Sequence, residues 1–170
     1  NVRVSTVIAD MGSIADVRER RFAHTIWMPG SRGSIYYTTA ERMGHYGADG
    51  RYPTHHHRLG DSSRRAVIRG MTFIDSGFRC TNLHESNGVL IEDTVATDTQ
   101  SACHFVQTDS SSTIADFAFV HNLCSVVRGK SGADSTLPGD RFRSVTCFWP
   151  GTSEHEAFLG NVSAGVMNNG

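Results

Sequence analysis

Apolar positions in this chain come in short runs of β-branched and aromatic residues, broken by Gly, Asn, Asp and Ser. No 3.6-residue apolar stripe runs through them, so the pattern predicts strands and turns rather than helices. Three runs align without a gap: Ile68 to Phe73, Ile91 to Ala96 and Ile114 to Phe119, each 23 residues after the last. Ser76, Thr99 and Asn122 fall into a second row at the same spacing, as do Cys80, Cys103 and Val126. A looser copy closes the chain at Phe158 to Ala164. A period in the twenties means stacked supersecondary units, and the leucine ladder of a leucine-rich repeat is absent. The pattern therefore predicts an all-β fold, a right-handed parallel β-helix of about seven coils, roughly 23 residues each.

The division that follows is one β-helix domain over residues 1–170, read as a fragment of a larger protein. Residues 1–44 form irregular first coils, with a solvated charged run at 18–21. Residues 45–128 form regular coils, 129–140 a loop rich in Gly, Ser and Asp, and 141–170 the last coils. A solenoid needs covered ends. The rest of the parent chain, or self-assembly through the ends, is the expected cover.

Composition narrows the function classes. Of 170 residues 38% are hydrophobic, and the net charge is −1 with no basic block, so a nucleic-acid partner is not expected. Lys130 is the single lysine beside 15 arginines, whose planar forks suit carboxylates and sugar hydroxyls. No apolar run is long enough to cross a bilayer, and direct membrane insertion is not expected. Four cysteines and an acceptor triplet at Asn161-Val162-Ser163 fit an extracellular, glycosylated protein.

Stacking turns sequence arithmetic into neighbours. Asp75 and Asp98 fall in one row with His121 above and Tyr52 below, and Asp93 and Asp116 form another. Carboxylates on adjacent coils would lie about 5 Å apart, a separation that suits a retaining glycosidase. The competing reading is that corner aspartates cap turns. The densest polar stretch is Arg51 to Asp61, with His55 and His57 on one strand face and His56 on the other. At 23 residues per coil, Phe78 stands over His55 and Cys80 over His57. An outward His55/His57 pair near Asp75, with Arg51, Arg58 and Asp61 close by, would be suited to proton transfer; an inward one would be a hydrogen-bonded ladder. Two histidines and a carboxylate can hold zinc, but no third ligand stands at a diagnostic spacing. No metal and no cofactor are expected. Cys80 with Cys103, and Cys124 with Cys147, are each placed either to form disulfides or to stack as thiols.

These residues resemble the parallel β-helix region shared by the cell-migration-inducing hyaluronidases, their transmembrane relatives and fibrocystin-type surface proteins. The matching pieces are Gly50 to Asp61, Gly88 to Ala96, Leu137 to Arg141, Phe148-Trp149-Pro150 and Gly160 to Gly165. Arg51, His55, His57 and Asp61 match the family's motif, whereas Thr54 and His56 depart from it. The resemblance implies an extracellular solenoid. In one branch it implies endo-cleavage of hyaluronan; in the other it implies surface architecture without catalysis. Two functions are thus expected, in this order. The first is a structural, carbohydrate-associated module of a cell-surface or filament protein, with a polysaccharide or glycan as partner. The second is a hyaluronidase-like glycosidase using Asp75, Asp98 or the His55/His57 group.

Overall fold

A computed structural model describes residues 2–5, 22–45, 48–109, 112–128 and 145–167. The charged run at 18–21, the loop at 129–140 and the Leu137 to Arg141 motif lie outside the described residues. Every strand pairing is parallel, and strands are numbered in chain order.

A six-stranded sheet holds β1 (Val2–Ser5), β3 (Thr38–Glu41), β6 (Thr72–Ser76), β9 (Val95–Gln100), β13 (Leu123–Arg128) and β17 (Val162–Met167) in that order. A five-stranded sheet stacks β2 (Ile35–Tyr36), β5 (Val67–Arg69), β8 (Leu90–Glu92), β12 (Ala118–Val120) and β16 (Ala157–Leu159). A four-stranded sheet stacks β4 (Thr54–Gly60), β7 (Thr81–Ser86), β10 (His104–Gln107) and β14 (Phe148–Trp149). A short pair joins β11 (Ile114–Ala115) to β15 (Ser153–Glu154). From β4 onward the chain visits the four-, five- and six-stranded sheets in turn and then repeats. This is a parallel β-helix, as the repeat predicts.

Inside, each sheet contributes a column. Ile35, Ile68, Ile91, Phe119 and Phe158 are successive neighbours on the five-stranded sheet. Ala40, Phe73, Ala96 and Cys124 do the same on the six-stranded sheet, so a large ring sits between small residues. Phe73, Ile91 and Phe119 are wholly buried. Burying each such side chain stabilises by about 1.5–3 kcal/mol. A ladder of interior amides is paired as well. The side-chain amide of Asn122 accepts from the Thr94 N–H at 3.0 Å and donates to the Ile91 carbonyl at 2.9 Å. Asn161 extends this ladder: its Nδ2 donates to the Phe119 carbonyl at 2.7 Å and its Oδ1 accepts from Asn122. A glycan on Asn161 Nδ2 would have to displace that bond.

Corners repeat too. Tyr37, Gly70, Asp93, His121 and Gly160 all have positive φ, and each donates its N–H to the coil above as far as His121 does to Leu159. Residues with short polar side chains and glycine enter this left-handed region most easily. At Gly160 a Cβ would come within 2.5 Å of the His121 ring, which would have to swing aside, and its φ of +62° itself favours glycine.

The 23-residue step holds where Ile68 meets Ile91, Thr72 meets Val95 and Thr81 meets His104. It is not constant. Ile91 pairs with Phe119, a step of 28, because the chain makes the extra strand β11 before β12 begins. Ile114 is therefore buried in the core but stands one corner early. His121 leaves the Asp75/Asp98 row, where Val126 takes its place, and joins the corner of Asp93. Asp116 belongs to a different corner from Asp93, bonded through its N–H to Glu154. The step from β4 to β7 is 27, which puts Asn82 over His55 and His84 over His57, rather than Phe78 and Cys80. Thr99 is succeeded by Val127, not Asn122, and Cys103 by Cys147, not Val126. Tyr52 packs on Phe78 and His55 rather than beneath Asp75.

Candidate functional site

Strand β4 sets the site. Pro53 enters it extended, and alternation then turns Thr54 and His56 inward and His55 and His57 outward. The partners agree, since His56 is level with the core residue Leu83 while His57 is level with His84. His56 stacks on Trp27 with ring centroids 4.6 Å apart and donates Nε2–H to the Gly33 carbonyl at 2.9 Å. It is a core residue, and burial keeps its pKa below the usual histidine value.

His55 faces outward yet is buried, because Tyr52 and the turn at Gly50 fold over it. Its Nδ1–H donates to the Gly50 carbonyl at 2.9 Å, which leaves Nε2 as the lone-pair nitrogen. Among the described residues that buried Nε2 meets no hydrogen-bond partner. Burial, aided by the neighbouring His57 and His84, pushes the His55 pKa down to about 3. His57 is lowered as well, by desolvation first and by His84 second. The Nδ1 atoms of His57 and His84 are 3.2 Å apart. One ring nitrogen from each of His55, His57 and His84 lies within 4.8 Å of the other two.

Carboxylates close one side. The Asp109 carboxylate accepts from His84 Nε2 at 3.4 Å and from Arg58 Nη2. Arg58 also reaches Glu85 through Nε at 3.2 Å. The Arg58 hydrogen bond holds Asp109 below the ordinary carboxylate range. Oxygens of Glu85 and Asp109 lie within 4.8 Å of each other and of a His84 nitrogen. Farther along the same outer face, Phe105 and Trp149 lie nearly parallel, 9° between planes and 6.0 Å between centroids. Arg79 spreads over Phe105 at 3.6 Å and donates to the Tyr52 hydroxyl at 3.0 Å. Trp149 is 41% exposed, a flat apolar surface at the edge of a polar cluster.

Of the residues singled out by sequence, His55 and His57 meet here. Arg51 lies at the covering turn, bonded to His45 at 3.1 Å. Asp61 stands in a 3-10 turn, Asp61–Ser63, held by Arg64 and Asn87 at 2.8 Å each; the Asn87 and Arg64 bonds lower its pKa. Asp75 and Asp98 are level with each other on β6 and β9, both with positive φ, on the six-stranded sheet rather than with the histidines. Asp98 is ion-paired to Arg128. Cys124 and Cys147 form a disulfide, with Cα atoms 5.6 Å apart, whereas Cys80 and Cys103 are buried thiols in contact. The sequence places Arg58 beside the histidine pair, but its arithmetic misses His84, Glu85 and Asp109. A signal for His84 was present, because Thr54-x-x-His57 and Thr81-x-x-His84 share one pattern on paired strands.

The family description of the CEMIP β-helix matches residues 22–170, which takes in every strand after β1. The chain belongs to the CEMIP β-helix family. Its CEMIP β-helix is 27% identical to the human cell surface hyaluronidase CEMIP2 over 143 residues, 71% of this chain and 10% of that protein. The zebrafish (Danio rerio) cell surface hyaluronidase is 32% identical over 111 residues, 62% of this chain and 8% of its own length. A G8 domain-containing protein of Dictyostelium discoideum is 29% identical over 136 residues, 73% of this chain and 9% of that protein. This CEMIP β-helix thus spans about a tenth of the length of the curated relatives it matches. No solved structure matches it significantly.

Proposed function

We propose that this chain is the β-helix module of an extracellular or cell-surface protein, and that the outer face of its four-stranded sheet binds an acidic polysaccharide. One observation carries the reading. Charged and titratable groups (Arg58, His57, His84, Glu85, Asp109) and a parallel aromatic pair (Phe105, Trp149) share one sheet face. Sugars present hydroxyls and carboxylates at their edges and apolar C–H faces between them, so such a mixture is complementary. Hyaluronan is the first polymer to try, since two relatives are named cell surface hyaluronidases. The Cys124–Cys147 disulfide supports an oxidising compartment. Among the described residues no helix is long and apolar enough to cross a membrane.

Cleavage is the second reading, and the Glu85/Asp109 proximity favours it over one built on Asp75 and Asp98. Paired carboxylates about 5–5.5 Å apart characterise retaining glycosidases, but one of the pair must stay protonated. Arg58 bridges this pair and keeps Asp109 ionised. An ionised Asp109 suits only the nucleophile's part, so hydrolysis would need as its acid Glu85, which Arg58 also pairs; binding needs no such proton and is the reading preferred here.

Both readings are tested by mixing hyaluronan oligosaccharides with the chain and following affinity and chain length together. Binding is expected, weakened about tenfold, or roughly 1.4 kcal/mol, in Trp149→Ala and in Arg58→Ala. Equal affinity in both variants would remove this face from the function. Shortened oligosaccharides that persist in full length with Glu85→Gln would establish cleavage as the activity.

A further inference from the structure

The geometry points to a zinc-class transition-metal site formed by His55, His57 and His84 on the outer face of β4 and β7. It does not depend on glycan binding, because it rests on how the three rings are held. The Nδ1 atoms of His57 and His84 stand 3.2 Å apart. Two nitrogens on a tetrahedral metal with bonds of about 2.0–2.1 Å are separated by roughly 3.3 Å, so this edge of the site is already formed. His55 contributes Nε2, buried and without a hydrogen-bond partner among the described residues.

On two of the three rings the other nitrogen is held as metal-ligating histidines require, directed at an acceptor that fixes tautomer and orientation. His55 gives its Nδ1–H to the Gly50 carbonyl. His84 directs Nε2 at Asp109 at 3.4 Å, a carboxylate–histidine arrangement. Burial favours neutral imidazoles, which are the form that ligates. Three nitrogen donors select zinc, copper or nickel over calcium or magnesium, which demand oxygen. Three protein ligands leave a fourth position, and the half-buried side of His57 is where water or a ligand oxygen would enter it.

The test is Zn2+ titration of the disulfide-intact chain, followed by calorimetry and by metal content after gel filtration, with no glycan present. One Zn2+ per chain is expected. His57→Ala and His84→Ala should each weaken binding at least about tenfold, and Asp109→Asn, through the outer contact alone, by roughly 10-fold or more. Thermal melts establish whether each variant is folded. Should one fail to fold, the ring-nitrogen resonances of the wild-type histidines give the same answer, since those of His55, His57 and His84 must move on adding Zn2+. Absence of stoichiometric binding overturns the proposal. So does binding that survives both histidine variants, or that disappears in Cys80→Ser, which would place the metal on the buried thiols instead. Loss of glycan affinity with zinc binding intact, or the reverse, separates this site from the polysaccharide face.

Discussion

At the scale of single residues, side chains of one type divide by the direction in which the strand points them. His55, His56 and His57 are consecutive, yet two join a polar cluster outside the coil and one stacks on Trp27 within it. His104, equally buried, packs inside among Phe73, Phe119 and Phe148, and burial brings its pKa down to about 3. This makes folding pH-dependent. His55 and His104 stay neutral in the fold to about pH 3, whereas unfolded histidine takes a proton near pH 6.5. The unfolded chain therefore binds more protons throughout that window, so stability is full above pH 6.5 and falls as pH drops toward 3. The slope is up to about 1.4 kcal/mol per pH unit for each histidine. Urea midpoints at a series of pH values should decline below 6.5, less steeply in His55→Gln. A flat midpoint down to pH 4 would show that these rings are not buried neutral. That His55 and His57 share a face was legible from alternation; that the face is the outer one was not, and follows from the pairing of β4 with β7. His84 was not, since it enters through a coil of 27 residues where the arithmetic used 23.

At the scale of elements, what repeats is the geometry of a coil rather than its residue count. Three sheets recur in a fixed order, and the corners between them return to the left-handed region whether Tyr37, Gly70, Asp93 or His121 occupies them. Ile114 misled the row because it satisfies the same apolar, β-branched criterion as Ile68 and Ile91. It is buried as they are, but on β11, five residues ahead of Phe119. Interior hydrophobicity identifies a position as inward without saying which corner it follows. The cysteines obey the same logic. Cys80, Cys103 and Cys147 stand in one column, and Cys124 reaches into it from β13. The disulfide closes a loop of 23 residues and should stabilise the fold by about 3 kcal/mol. Cys124→Ala is expected to lower the urea midpoint accordingly, while Cys80→Ala, which removes only a buried thiol, should cost less. The opposite ranking would mean the disulfide does not constrain the unfolded chain.

At the scale of the whole molecule, the four-stranded sheet differs from its neighbours. Its outer face carries histidines, an arginine, two carboxylates and two stacked aromatic rings, whereas Asp98 on the six-stranded sheet is engaged by Arg128 and Asp61 at its corner by Arg64 and Asn87. The last strands β16 and β17 expose Phe158, Leu159, Val162 and Val166, an apolar edge. Further parts of a longer chain are the cover we propose for it, consistent with relatives several times this length. Fold class was legible because a solenoid writes its period into the chain, and the family through motifs such as Gly50 to Asp61 that resemble it. The face proposed to bind glycan was not, since it is assembled from separate coils whose spacing only the coordinates supply. The most direct test of that face is a 15N NMR titration of the chain with hyaluronan oligosaccharides. The largest shifts should fall on the Trp149 indole N–H, the Arg58 side chain and the backbone of His84 to Glu85. Shifts confined to β6 and β9 around Asp75 and Asp98, or none at saturating oligosaccharide, would contradict the account.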